Sequence, residues 1–397
     1  GIATAPPDMQ SEAEAAAPRA VDPRRTGNPD VQLLSNGHLT TMITATGSGS
    51  LSWRGIAISR WREDPVCDPW GHFIFLREMR GGKRWSAGYS PRVREPEDYG
   101  AEFSEDKVAL RRVDGPFTTT LQCVVSNESD AEVRRVNVVN NSSRSQIIEI
   151  TSYMELALAP PAADAAHPAF SKLFVVTEFV PELGAVIAMR RRREVSDPQV
   201  WAAQFLVPYS DGASAIEFET SRAQFLGLGN TLSTAQAFRP GKTLDGATGA
   251  VLDPVFALRQ RLRVAAGQQA CWSVWTVVAE SREGVLDLVD SHRQRAAYER
   301  ASVLAWTHSR VQLRHFAVEG GEAEVFRRLA NLIVYASAAA RPSSTALQQQ
   351  AREQTRLWAS GVSGVRPILL IRIDAVEDLD IIRQLLRGHG YWSAKRF

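Results

Sequence analysis

Cysteine is scarce in this chain: 397 residues hold only Cys67, Cys123 and Cys271, far apart and odd in number. No Cys-x-x-Cys and no Cys/His pair has metal-ligand spacing, which argues against a structural zinc site, and no metal ligand is assigned. The scatter predicts reduced thiols in an unoxidised compartment. The Asn-X-Ser sequons at Asn127, Asn140 and Asn141 are then chance matches, because glycosylation requires secretion. Net charge is nearly absent too. With 46 basic against 44 acidic side chains and a balance of +2, there is no net basic face of the kind nucleic acids need, and no nucleic-acid partner is expected. No signal peptide and no apolar run long enough to cross a bilayer is visible, so the expected location is cytoplasmic. An initiator methionine is also missing, since the sequence opens at Gly1, and a piece of a longer protein is expected.

What is present supports a large core, with 44% hydrophobic residues. Residues 1–29, rich in Ala, Pro and charge, have little to bury and read as a disordered linker. From Val31 the period is two. Thr119, Leu121, Cys123 and Val125 share one face; Val136 and Val138 alternate with Arg135 and Asn137; Ile148, Ile150, Met154, Leu156 and Leu158 line another strand. Phe256, Leu258, Leu262 and Val264 stand opposite Arg259, Arg261 and Arg263, and 271–278 is nearly continuously apolar. Such strands with Gly, Pro and Asn turns predict a β-sandwich. Near Ser281 the period becomes helical, with Ser281 as an N-cap, and a further helix follows Gly320-Gly321. Helical signals continue to about Trp358 and again over 379–386.

The densest chemistry lies in 47–76, where Trp53, Trp61 and Trp70 are interleaved with Arg54, Arg60, Arg62, Glu63, Asp64 and Asp68. Planar faces beside charged hydrogen-bonding groups suit a sugar, which offers an apolar C–H face and a hydroxyl rim. The plain alternative is a set of interior indoles satisfied by loop backbone.

Gln32-Leu-Leu-Ser-Asn-Gly37, Gly47-Ser-Gly49, Trp53-Arg-Gly55, Ser59-Arg-Trp-Arg-Glu-Asp64 and Trp70-Gly71 resemble glycoside hydrolase family 94, the cellobiose-phosphorylase family. The segment Leu158-Ala-Pro-Pro-Ala-Ala-Asp-Ala-Ala-His-Pro-Ala-Phe-Ser-Lys172, with Leu252-Asp-Pro-Val-Phe-Ala-Leu-Arg259 and Arg341-Pro-Ser-Ser344, is similar to the carboxy-terminal region of cyclic β-1,2-glucan synthases. The resemblance implies a mainly β fold with a helical C-terminal part. Its expected layout is a large antiparallel β super-sandwich over 30–280, linker helices over 281–345, and the start of an incomplete (α/α)6 barrel over 346–397. It also implies an inverting phosphorylase or a relative, in which phosphate attacks the anomeric carbon while an aspartic acid protonates the leaving oxygen.

That acid lies, in the family, in a Gly-Asp-Trp-Asn-Asp-Gly type segment, and no Asp-Trp pair occurs here. The synthase-like pattern also carries an aspartate where this chain has Val365. The expectation is therefore a β-glucan-related fragment, inactive alone, that lacks the general acid. The alternative is a stand-alone carbohydrate-binding or scaffolding module. No cofactor is expected, with inorganic phosphate a co-substrate of the parent only. The expected partners are a β-glucan oligosaccharide and the missing barrel or remainder of the parent, which the resemblance places at the bacterial inner membrane; a homodimer is a further expectation.

The candidate carbohydrate-binding residues are Trp53, Arg60, Trp61, Asp64, Trp70, His167 and Lys172, with no catalytic residue assigned. His167, without a partner carboxylate in view, suits a polar loop role better than catalysis. Lys172 is a sugar or phosphate contact or a solvated lysine. The run Arg190–Arg193 reads as a charged strand end rather than a membrane or phosphate patch. Gly227-Leu-Gly229 reads as a turn, and Glu149 and Glu155 as exposed cross-strand partners. Helix faces carrying Leu329, Leu332, Ile333 and Leu385 are expected to be left uncovered, with self-association as the outcome.

Overall fold

The alternating run around Leu121 becomes the strand Phe117–Val125, whose Phe117, Leu121, Cys123 and Val125 enter the core. The hairpin 126–130 returns the chain as Ala131–Asn140, in register from Phe117↔Asn140 to Val125↔Glu132. The same logic, repeated along the chain, builds two nine-stranded sheets with antiparallel pairing. The computed structural model describes residues 19–24, 29–335, 341–349, 355–363 and 368–396.

In spatial order the first sheet runs Arg19–Val21, Asp98–Phe103, Lys107–Asp114, Phe117–Val125, Ala131–Asn140, Gln269–Ala279, Trp201–Pro208, Ala185–Arg190, Val175–Val180. The second runs Glu217–Ser221, Pro254–Val264, Gln146–Ala159, Ile56–Ser59, Gly49–Trp53, Leu39–Thr44, Val31–Ser35. The 14-residue strand Gln146–Ala159 organises this sheet. Pro254–Val264 pairs along one edge. On the other edge it pairs first with His72–Glu78, which carries Arg84–Ser86, and then with Ile56–Ser59, where the register shifts between Leu156 and Ala159.

The two inner faces meet in one core that includes Ile58, Leu76, Met154, Leu258, Val136 and Trp272. Each such side chain contributes roughly 1.5–3 kcal/mol by leaving water. Trp85 stacks on Phe117 at 5.2 Å between ring centroids, and its Nε1 donates to Thr119 Oγ1 at 2.9 Å. The apolar run in Gln269–Ala279 is explained by burial on both faces. Trp272 and Val274 point into the sandwich, whereas Trp275 and Val277 lie under the helices Arg282–His292 and Ala297–His315. Ser281 caps the first of these helices, its Oγ accepting from Gly284 N at 3.0 Å. On the far side, Phe225, Leu226 and Phe238 cover Phe73, Phe75 and Tyr153 of the second sheet.

A polar seam crosses the sandwich interior. Arg134 Nε donates to Glu132 Oε1 and its Nη1 to His72 O at 2.5 Å; Thr41 Oγ1 donates to Glu132 Oε2 at 2.6 Å. Ser152 Oγ donates to Gln204 Oε1 at 2.7 Å. Burial, then the neighbouring Arg134, pushes His72 down to about 4. Burial opposes ionisation of Glu132 as well, but Arg134 and His72 outweigh it and hold the carboxyl well below its usual range.

At the C-terminal end, the helices Gly320–Val334 and Leu379–Ala394 pack through Phe326, Tyr391 and Trp392. A side chain at Gly388 would place its Cβ 2.9 Å from the Phe326 ring, so only glycine allows this approach. Lys395 then reaches the sandwich, its Nζ donating to Leu33 O at 3.1 Å and to Glu105 Oε2 at 3.0 Å.

Three expectations need correction. Arg19–Val21, placed in the linker, is a strand paired with Asp98–Phe103; residues 1–18 and 25–28 lie outside the described residues. Glu149 is buried at 1% exposure rather than solvated, because Arg261 and Arg259 neutralise it from the next strand. Of the four leucine and isoleucine positions expected to be bare, Leu332 is exposed, whereas Leu329 and Ile333 pack beside Phe326 and Leu385 is half-buried. Trp306, Trp358, Leu370 and Leu386 add to the exposed apolar surface. Val365 lies outside the described residues.

Candidate functional site

The segment 47–76 splits into three environments. Its first part is structural. Trp53 is 3% exposed and donates Nε1 to Asp130 Oδ2 at 2.6 Å, so it presents no face to a ligand. The reason is parity: Leu51 and Trp53 share the inward side of Gly49–Trp53. Gly47-Ser-Gly49 is structural as well. A Cβ at Gly49 would lie 1.8 Å from Met42 O, and Gly49 N donates to Trp70 O at 2.8 Å.

The middle part is a hydrogen-bonded knot. Asp64 Oδ1 accepts from Val66 N and Cys67 N, a local turn that occupies the residue proposed for sugar. Asp68 follows at a left-handed φ of 41° and is 6% exposed. It accepts from Thr44 Oγ1, Thr46 Oγ1 and Tyr335 OH at 3.0, 2.8 and 3.0 Å. Burial raises this carboxyl and the hydroxyl donors only partly offset it. Half-buried Trp61 meets Tyr335 edge-to-face at 6.0 Å, and Trp70 is half-buried at the far end of the loop.

The third environment is a charged cluster around Arg60, drawn from distant parts of the chain. Arg60 follows the strand Ile56–Ser59, and its N–H donates to Glu155 O at 2.9 Å. Its Nε and Nη2 grip Asp164 Oδ2 and Oδ1, both at 3.0 Å. Asp164 comes from the short helix Pro161–Ala166, started by two prolines at the end of the long strand. Lys172, closing the next short helix Pro168–Lys172, places Nζ 2.6 Å from Asp253 Oδ1. Arg222 Nε donates to Glu155 Oε1 at 2.7 Å, and Tyr153 OH reaches the same oxygen at 3.0 Å.

One donor in this cluster is left over. Arg60 Nη1 lies 3.6 Å from Glu155 Oε2 and 3.7 Å from Asp253 Oδ1, beyond direct hydrogen bonding, and is buried without an acceptor. Such a gap suits an oxygen bridging the three groups. The cluster is open on one side: Lys172, Asp253 and Arg222 are 20%, 24% and 37% exposed. Two leucines in left-handed conformation flank it, Leu158 at φ 47° and Leu252 at φ 66°. Each costs roughly 1–2 kcal/mol over a right-handed residue, and such outliers gather at functional sites.

The structure thus brings Arg60 and Lys172 together, separates them from Trp53, and leaves His167 exposed between the two short helices. Glu155, Asp164, Arg222 and Asp253 were not anticipated in this role. Asp164 sat within the 158–172 segment, and Asp253 beside Leu252, so both were in view without a partner. Chemically, three carboxylates held by three cations form a rim of directional donors and acceptors for hydroxyl groups.

Residues 16–295 match the sequence model of the glycosyl hydrolase 94 supersandwich domain, and the chain belongs to this family. Among curated relatives, the cyclic beta-(1,2)-glucan synthase NdvB of Rhizobium meliloti (strain 1021) is 37% identical over 377 residues. That match covers 95% of this chain but 13% of the relative's length. Among solved structures, a bacterial glucoamylase complexed with acarbose aligns with a TM-score of 0.45 and 9% identity, over 79% of this chain and 42% of that one. A putative kojibiose phosphorylase from human microbiome aligns with a TM-score of 0.44 and 7% identity, over 79% of this chain and 40% of that one. Among the described residues, no helix is long and apolar enough to cross a membrane.

Proposed function

We propose that this chain is the carbohydrate-engaging supersandwich of a β-1,2-glucan-handling protein, and that bond cleavage or transfer needs groups outside it. The observation that carries this reading is the 37% identity to NdvB sustained across 95% of the chain. The cluster around Arg60 supplies the binding chemistry. The open rim of Lys172, Asp253 and Arg222 takes sugar hydroxyls, with one hydroxyl oxygen in the gap at Arg60 Nη1. Trp61, next in the chain and half-exposed, offers the apolar ring.

The cluster is suited to holding a glucan rather than breaking it. A general acid must bring a proton to the leaving oxygen, whereas the carboxylates here are each engaged by Arg or Lys. Calorimetric titration of β-1,2-gluco-oligosaccharides tests this. Wild type should bind, and Trp61→Ala should bind at least tenfold more weakly. Equal affinity for the two proteins retires Trp61 as a sugar platform. Release of glucose 1-phosphate from β-1,2-glucan and phosphate by the purified chain overturns the inactive reading.

A further inference from the structure

On the outer face of the second sheet, the ladder between His72–Glu78 and Arg84–Ser86 sets Arg77 directly opposite Arg84. Like charges facing each other across an antiparallel pair destabilise it. Neither side chain has an ion-pair partner within 4 Å among the described residues; their contacts are to backbone and ring. Arg77 Nη1 lies 3.5 Å from Phe238 O, Arg84 Nη2 donates to Ser233 O, and the Arg84 guanidinium lies 4.2 Å above the Phe238 ring. Arg84 Nε is buried without an acceptor.

The neighbouring carboxylate does not relieve the pair. Glu149 stands opposite Arg77 on the other flank, but its Oε2 accepts from Arg261 at 2.8 Å, and its Oε1, 3.7 Å from Arg259, is buried without a hydrogen-bond partner and forms no ion pair with Arg77. Arg259 also leans toward the Phe238 ring, at 5.9 Å. The carboxylates Glu149 and Glu217 are both taken by Arg259 and Arg261, which leaves Arg77 and Arg84 without a share in either. Burial, and then Arg77, pushes Arg84 down to about 10, with no carboxylate opposing the shift. Beside Ser233, the hydroxyls of Thr231, Ser233 and Thr234 bond to one another on the exposed loop.

We propose that Arg77 and Arg84 form a binding site for a tetrahedral oxyanion of the phosphate class, inorganic phosphate or a phosphate monoester, bridged between their guanidinium groups beside Phe238. Planar guanidinium forks match phosphate oxygens two at a time. An anion between the two arginines turns a cross-strand repulsion into two attractions, and the loop hydroxyls add donors. The site is distinct from the Arg60 cluster. Along the long strand, Glu149 and Glu155 are six residues apart, about 20 Å at the rise of an extended strand.

Inorganic phosphate and methyl phosphate are titrated into the full chain by calorimetry at constant ionic strength, with chloride as the control, and thermal midpoints are recorded with and without phosphate. Wild type should bind phosphate and gain in midpoint. Arg77→Gln and Arg84→Gln should each bind at least tenfold more weakly, and Arg84→Lys should fall between. In phosphate-free buffer Arg77→Gln should melt higher than wild type, since it removes the repulsion, and should gain nothing from phosphate. Binding of methyl phosphate supports a monoester ligand; binding of inorganic phosphate alone supports the free ion. The proposal is overturned if wild type binds neither, or if the variants bind as wild type does. A lower phosphate-free midpoint for Arg77→Gln also overturns it, since Arg77 would then already be satisfied by Glu149.

Discussion

Two charged clusters in the same sandwich are built to opposite plans. The seam of Glu132, Arg134 and His72 lies between the sheets, with all three residues 3% exposed or less. The cluster of Arg60, Glu155, Asp164, Asp253 and Lys172 lies where the long strand leaves the sheet, and keeps an exposed rim and an unused donor. A sealed cluster can contribute only to stability and uniqueness of packing, whereas an open one has capacity left for a ligand. Charge density alone therefore does not mark a site. An exposed rim beside the unfilled donor does, since His72 Nδ1 in the sealed seam is unfilled as well.

The sharpest break in that comparison is Glu132→Gln. It leaves Arg134 buried without a counter-ion and should cost about 3–5 kcal/mol, read as a lowered urea midpoint. Acid should act on the same seam. His72 titrates near 4 when folded and near 6.5 in an unfolded chain, so between those values the unfolded state binds more protons. Stability is fully present above about pH 6.5 and declines as pH falls toward 4, by about 3 kcal/mol over the window. His72→Asn should remove that portion of the slope in denaturant titrations; an unchanged slope means another group titrates there. The smallest effect is expected at the open rim. Lys172→Met breaks an ion pair whose partners are 20% and 24% exposed. It should cost under about 1 kcal/mol, with the midpoint in melts lowered only slightly, yet weaken glucan binding severalfold. A rim residue that moved the midpoint as far as Glu132 does would erase the distinction.

Much of the sandwich was legible because one face of each strand is apolar. The period of two around Leu121, Ile150 and Leu258 is enforced by a core between two sheets, and 271–278 reads as continuous because helices cover its second face. Trp53 was misassigned to a sugar surface although the parity of Leu51 and Trp53 pointed inward. Composition drew the eye there, and burial depends on the register of neighbouring strands. The Arg60 cluster was half-legible. Residues 60, 155, 164, 172 and 253 meet only because Ile56–Ser59 and Pro254–Val264 flank the same long strand. No spacing in one dimension encodes that meeting. Arg77 opposite Arg84 was invisible for the same reason, since a hairpin register is needed to see that two positive charges face each other.

The bond from Lys395 to the Leu33 carbonyl, 362 residues away, has a consequence in time. A ribosome adding about 5–20 residues per second needs roughly 15–60 s to go from Glu105 to Lys395. Through that interval the acid that will receive Lys395 has no ammonium to meet, and the edge of the sandwich beneath the last helix stays bare. The pace of synthesis therefore sets the earliest time at which this edge is completed.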